Sequence, residues 1–234
     1  MMEITKNNIT RTCPESEIYN ELLKLDDKHI LELGCGNAEL TRTIATEGHG
    51  RTIVATEVDK IQHNNNLLIT DLPNVTFKLA GAEKIPAKNN TFDVVFMFKS
   101  FHHVPIKLMG QALMEVQRVL KPNGIAYISE PIFAGDFNAI LSLFHDEKEV
   151  RQQAFLTIKN SVDTGIFSLI SETFFNLSLV FEDFTDFENK VLKSTHTEHN
   201  LSDTVYKQVK ELFVKQKTGK FTIPIRVDLL QVIS

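Results

Sequence analysis

Apolar positions along this chain fall into two kinds of run. Ile30, Leu31 and Leu33 form a short apolar run, and residues 52–55, 94–98 and 125–129 form others of strand length, while Val75-Thr76-Phe77-Lys78 reads as a further strand. The run at 94–98 is continuous, as a strand buried on both faces should be. Between these runs the apolar residues recur at helical spacing: Ile18, Leu22 and Leu25; Leu40 and Ile44; Met109, Leu113, Val116 and Leu120. Strands alternating with amphipathic helices predict a doubly wound α/β fold. Local signals agree. Pro14 suits the first position of a helix, with Glu15 and Glu17 in its first turn. Asp59 is placed to cap a helix over residues 60–69. The turns 47–50 and 72–74 carry Gly or Pro-Asn, and Lys121-Pro122-Asn123-Gly124 should end the helix before the fifth strand.

The rest of the chain is less regular. Residues 1–12 read as a mobile arm. Residues 132–180 are too long for a bare loop and predict helices, with Asp146 and Asp163 as candidate caps. Ile166, Leu169, Ile170, Phe174 and Leu177 form a stripe that reads as helical. Residues 187–195 alternate and predict the sixth strand. A helix over 201–217 follows, capped by Ser202, with its lysines on a solvated face, and a last strand over 221–233 bends near Pro224. Ten of the 17 phenylalanines lie between Phe133 and Phe187. They predict an aromatic mini-core, with some of them lining an apolar substrate pocket under a lid.

Composition narrows the classes. With 234 residues, 42% hydrophobic and 24% charged, one domain with a real core is expected over 1–234, with 132–180 as a lid insertion within it. A net charge of −5 argues against a general nucleic-acid footprint. No run of about 18 apolar residues predicts a membrane span. The polar N-terminus carries no signal-peptide pattern, and Cys13 and Cys35 have no disulfide or metal spacing, so a cytoplasmic protein is expected. His196 and His199 form an H-x-x-H, too thin to assign a metal.

The chemistry concentrates at H-I-L-E-L-G-C-G-N-A, residues 29–38. An apolar strand ends in Gly34 and Gly36 and turns into a helix, a loop that brings backbone N–H groups close to a ligand. The flanking acids decide which ligand. A pyrophosphate site wants G-x-G-x-x-G, and here the third glycine position is Glu39, while Glu32 precedes the first glycine. Two carboxylates would repel a pyrophosphate and suit a cationic ligand.

The stretch resembles motif I of the class I S-adenosylmethionine (SAM)-dependent methyltransferases, with Glu32, Gly34 and Gly36 matching and Ala38 replacing the last glycine. Further matches follow: Glu57 at the end of the second strand, A-G-A-E at 80–83, the "HHV" segment within K-S-F-H-H-V-P at 99–105, and Q-R-V-L-K-P-N-G at 117–124. The "HHV" segment is similar to that of small-molecule methyltransferases of the ubiquinone/menaquinone-biosynthesis type. The resemblance covers residues 29–131. It implies a Rossmann-like seven-stranded sheet of order 3-2-1-4-5-7-6 and SAM held by Glu32, Gly34, Cys35, Gly36, Glu57, Gly81, Ala82 and Lys99. Glu57 would bind the ribose hydroxyls. Gly81 stands where the family's adenine-binding aspartate is usual, while the Ala82 N–H can still reach adenine. An N-terminal helix would lie over the cofactor; Tyr19 on it reads as a core-edge residue rather than a substrate contact.

The implied activity is methyl transfer to a small, apolar or aromatic acceptor. His102, His103 and Glu130 would sit at the rim as candidates for the base an O–H acceptor requires. A catalytically inert SAM-binding or scaffold protein is the alternative from another class, and an NAD-dependent oxidoreductase is disfavoured by Glu32 and Glu39. No nucleic-acid partner is expected, and a homo-oligomer stays open.

Overall fold

The computed structural model describes residues 2–193, 201–216 and 218–233. Helix α1 (Glu15–Leu22) leads into β1 (His29–Leu33), followed by α2 (Glu39–Thr46), β2 (Thr52–Glu57), α3 (Lys60–Asn66) and β3 (Val75–Leu79). Then come β4 (Phe92–Phe98), a tight 3-10 turn (Phe101–His103), α4 (Ile106–Val119) and β5 (Leu120–Pro131). The second half carries α5 (Asp136–Leu141), α6 (Lys148–Asp163), β6 (Phe167–Val180), the short α7 (Phe184–Phe187), α8 (Asp203–Lys215) and β7 (Lys220–Val232). The seven strands form one sheet of order β3-β2-β1-β4-β5-β7-β6, as the resemblance implied. Pairing is parallel from β3 to β5, and β7 runs antiparallel to both β5 and β6. β1 lies between β2 and β4, with Glu32 opposite both Ala55 and Phe96. This is the switch point where chain order reverses, beyond whose carboxyl ends ligands bind in such sheets.

Two apolar layers cover the sheet. One packs α4, α6 and the 3-10 turn against Leu31, Val95, Met97, Ala126 and Ile128. The other packs α1 and α2 against Ile30, Ile53, Phe96, Tyr127 and Val227. The alternation of β1 and β4 residues between these layers follows from the two-residue period of a strand. Tyr19 is fully buried against Phe96 and Phe98, deeper in the core than the core-edge position expected.

Several expectations need correction. The stripe from Ile166 to Leu177 is not helical: Phe167–Val180 is strand β6, hydrogen-bonded along β7 with a register shift between Leu169 and Ser171. That shift breaks the two-residue alternation and leaves apolar spacings that imitate a helix. Residues 187–193 are not the sixth strand either; α7 continues into a π-helical turn over Glu188–Leu192, while the rest of that expectation, 194–195, lies outside the described residues. So do His196, Glu198 and His199, and Lys217. Residues 121–124 belong to β5 instead of ending α4 in a turn, with a register shift between Phe92 and Val94. The helices predicted within 132–180 therefore occupy only its first part. Asp146 accepts from the Lys148 N–H at 2.9 Å beside the start of α6, but Asp163 is the last residue of α6 and pairs with Lys159. Asp59 and Ser202 do cap their helices, accepting from the Ile61 and Val205 N–H groups.

The N-terminal arm is tied down. Asn176 on β6 donates through Nδ2 to the Ile9 carbonyl, and its backbone pairs with Arg11 and Cys13. Met2 is buried in the core. Most of the phenylalanines between 133 and 187 prove to be core. Phe137, Phe181 and Phe187 join Phe213 and Phe221 in a separate aromatic cluster between α5, α7, α8 and the far ends of β6 and β7. Phe155 and Phe167 belong to one sheet layer and Phe175 to the other. Phe187 is fully buried in the aromatic cluster. Phe187→Ala should therefore destabilise the protein by about 3–5 kcal/mol, the usual loss for a buried aromatic, measured by urea unfolding.

Candidate active site

The loop after β1 is built by backbone constraints. Gly34 has φ +75°, and a Cβ there would lie 2.7 Å from the Ser100 Cβ. Ser100 in turn donates to the Leu33 carbonyl at 2.7 Å, tying the end of β1 to the segment after β4. Gly36 has φ +52° and faces open space, with nothing within 4 Å of where a Cβ would be. Ala38, at the position of the usual last glycine, also takes the left-handed conformation at φ 63°, at some steric cost. Three groups fasten the loop. Thr56 accepts from the Gly34 and Cys35 N–H groups at 2.9 Å. Asn66, at the end of α3, donates to the Gly36 carbonyl at 2.8 Å. Glu57 accepts from the Gly36 N–H at 2.7 Å with one oxygen, and from the Val58 and Asp59 N–H groups at 2.7 and 2.9 Å with the other.

Glu32, Gly34, Cys35, Gly36 and Lys99 line one cavity of about 500 Å³, closed on one side by Pro14, Glu15 and Ser16 of α1. The N-terminal helix thus lies over the loop, as expected. Its Glu15 is buried and receives the Lys99 ammonium at 2.6 Å. Lys99 has φ 53°, unusual for a residue with a side chain. Glu32 is buried, and Thr41 donates to it at 2.6 Å. Burial pushes its carboxyl up to about 7, against the opposing pull of the Thr41 hydroxyl and the more distant Lys99 charge. Cys35 is buried and its thiol pKa is raised by burial, which makes it an unreactive part of the loop.

Gly81 and Ala82 are not in that cavity lining. The Ala80 N–H donates to the Glu57 carbonyl at 3.1 Å, which sets residues 80–83 beside the end of β2. The Glu83 carboxylate folds back into the space a side chain on Gly81 would need.

His102, His103 and Glu130 form a second group outside the cavity. The 3-10 turn packs on α6, and β5 delivers Glu130 from below. Glu130 accepts the Phe101 N–H at 3.0 Å and lies 2.6 Å from His102 Nδ1. The other ring nitrogen of His102 is 3.5 Å from Glu147, which also pairs with Arg151 of α6 and lies 3.0 Å from His145 Nε2. Burial opposes a charge on His102, but the Glu130 and Glu147 carboxylates overcome it and raise its pKa to about 9. Glu147 is also buried; its carboxyl is held below the usual range by His102 and Arg151. His103 is exposed. Across the sheet, Arg226 on β7 is the register partner of Glu130, bonds Asp228 at 2.9 Å and lies over the Phe155 ring.

Residues 30–124 match the family model of a methyltransferase domain. Over those residues the chain is similar to methyltransferase domains. It is 33% identical over 108 residues to an uncharacterized methyltransferase, Mb3374, of Mycobacterium bovis, a match covering 46% of this chain and 42% of that protein. It is 29% identical over 123 residues to the sterol 4-C-methyltransferase strm-1 of Caenorhabditis elegans, covering 50% of this chain and 36% of that protein. The chain thus spans less than half the length of these curated relatives. The crystal structure of BH2331 from Bacillus halodurans C-125 superposes with TM-score 0.65 at 15% identity, covering 94% of this chain and 99% of that one, a likeness of fold. Among the described residues no helix is long and apolar enough to cross a membrane.

The residues present fit SAM. Gly36 opens onto free space, and Glu32 is a buried carboxylate with no cation bonded to it, matched to a ligand with an ammonium and a sulfonium. Sequence reading did not find Asn66, Glu15, Thr41, Glu147 or Arg151. Only Glu15 left a local signal, as a first-turn acid, and that signal pointed to a helix dipole instead of a buried ion pair.

Glu32 also sets a pH dependence. A cationic ligand binds best to the ionised carboxylate, while burial holds the Glu32 proton up to about pH 7. SAM affinity should therefore rise as pH rises through about 7, by up to about tenfold per unit below it. Calorimetric titration between pH 5.5 and 7.5 should show this slope in the wild type and lose it in Glu32→Gln.

Proposed function

We propose that this chain transfers the methyl group of SAM to a small, apolar or aromatic acceptor. The observation that carries this reading is Glu32, an under-neutralised carboxylate beside a glycine loop that leaves its open side at Gly36. A pyrophosphate would meet that charge and Glu39 as repulsion. Bound SAM supplies a methyl group on a sulfonium, a good leaving group. The protein's part is to hold, align and dehydrate. Glu32 and the Gly34–Gly36 loop hold the amino-acid end. The Glu57 oxygen that accepts only the Gly36 N–H keeps a second lone pair for a ribose hydroxyl. The Ala82 N–H and the Glu83 carboxylate, standing in the place of the missing Gly81 side chain, receive the adenine. The Glu83 carboxylate in the space beside Gly81 supports this reading over an inert SAM-binding scaffold.

The acceptor lies beside the His102–His103 turn, beneath α5 and α6. Ile106, Leu143 and Leu156, on segments around that turn, are exposed apolar side chains, in keeping with an apolar acceptor. A sterol 4-C-methyltransferase among the relatives points the same way. His102, charged and held between two carboxylates, orients the wall, and exposed His103 is the better placed of the two imidazoles to take a proton.

Two measurements test the reading. Hydrogen bonds to a charged group contribute about 1.5–3 kcal/mol, so Glu57→Ala should weaken SAM binding at least about 10- to 150-fold. Its loss also frees the Gly36 N–H, so the loop itself should loosen. Calorimetry with SAM, S-adenosylhomocysteine and NADH reads this, and tight NADH binding without SAM binding would return the oxidoreductase. Second, conversion of SAM to S-adenosylhomocysteine across a panel of apolar hydroxylated and aromatic acceptors should find turnover. Replacement of at least one of His102, His103 and Glu130 should lower it about 10²–10⁴-fold with SAM affinity retained. Turnover within a few-fold in all three variants would remove the base.

A further inference from the structure

Three of the chain's eight histidines converge on one carboxylate. His102 and His103 come from the turn after β4, and His145 and Glu147 from the loop before α6. One ligand atom each from His102, His103 and Glu147 lies within 4.8 Å of the others. His145 Nε2 is a further 3.0 Å from Glu147 Oε1. None of these residues lines the cofactor cavity. The geometry points to a binding site for a divalent transition metal, with His102 Nε2, His103 and Glu147 as ligands and His145 beside them as a fourth.

Three features separate this from a simple ion-pair cluster. The donor set is two or three imidazoles and one carboxylate, the chemistry of zinc, iron and nickel sites rather than of magnesium or calcium. Glu130 lies on the far nitrogen of His102, at 2.6 Å from Nδ1. A carboxylate there holds the Nδ1 proton, so that a metal displaces only the Nε2 proton of the charged ring and takes that lone pair, the arrangement by which ligating histidines are commonly supported. Arg151 does the same for Glu147: it pairs with the carboxylate and is itself anchored on Asn138 at 3.0 Å. Metal–ligand bonds of about 2.0–2.2 Å keep ligand atoms within roughly 4.2 Å of one another. Small side-chain rotations bring this cluster to that size. His102 and Glu147 are buried while His103 is exposed, so the site is closed on one side and open on the other. An open position is what a metal needs to hold a water or an acceptor oxygen.

The site goes beyond the methyltransferase reading and does not depend on it. Occupied, it would engage the lone pairs of both imidazoles, and His103 could then no longer take the proton assigned to it above. It also joins the 3-10 turn to the loop before α6 through bonds stronger than the ion pairs alone.

The test is zinc binding to the untagged full chain, stripped with chelator, by competition with a fluorescent zinc indicator in the absence of SAM. The wild type should bind one zinc with micromolar or tighter affinity. His103→Ala, which removes an exposed ligand, should weaken that binding at least tenfold while leaving the metal-free thermal midpoint unchanged. Glu147→Gln should weaken it as well. Cobalt(II) in place of zinc should give visible absorption bands that disappear in His103→Ala. Zinc binding equal in wild type and His103→Ala, or weaker than micromolar in the wild type, overturns the site. SAM binding is read separately, so either outcome leaves the cofactor assignment where it stood.

Discussion

The hydrogen bond from the Gly36 N–H to Glu57 joins the ends of two neighbouring parallel strands. Because β1 and β2 are in register, the carboxylate at the tip of one falls level with the glycine loop at the tip of the other. Glu57 then gathers the Val58 and Asp59 N–H groups as well. One side chain thus fixes the start of the cofactor loop, the exit of β2 and the approach to α3. Asn66 closes the far end of α3 back onto the same loop. The loop's unusual φ angles at Gly34, Gly36 and Ala38 persist because these bonds over-determine them.

A different economy governs the wall around His102. Glu130, His102 and Glu147 are all buried, with Arg226 buried behind Glu130. Buried ion pairs are a poor way to gain stability, because the desolvation of each charge offsets most of the attraction. Leaving so many charges inside one wall therefore speaks for use rather than for folding. The wall is also shared: β5, β7, the 3-10 turn and the loop before α6 each contribute to it. A shift of α6 would be felt directly at His102 through Glu147.

Much of this was legible in the sequence, and the limits have physical causes. β1, β4 and the end of β5 stood out because near-continuous apolar runs mark parallel strands buried on both faces, while the edge strand β3 showed only the alternation Val-Thr-Phe-Lys. The glycine loop, Glu32 and Glu57 stood out because motif spacing is local. The caps at Asp59 and Ser202 were readable for the same reason. The antiparallel half was not. β6 is an edge strand, with half its residues polar or exposed and a register shift after Leu169, so its stripe carried a helix-like spacing. Residues 187–193 alternated by accident of a short helix with aromatic packing. Glu147 and Arg151 could not be found at all. Their meaning arises only when the loop before α6 is laid against a turn more than forty positions earlier in the chain.

β6 ends the sheet on one side and would present unpaired backbone groups to any passing strand. The N-terminal arm lies on it: Arg11 and Cys13 pair with Asn176, Thr12 bridges to the same residue, and the Glu3 N–H reaches Glu172. A short bridge of this kind does not extend the sheet, since it satisfies a few groups and then turns away into α1. It blunts the edge against strand-by-strand addition of other chains. The segment that delivers α1 to the cofactor cavity thus also keeps the opposite margin of the sheet from acting as a template for aggregation.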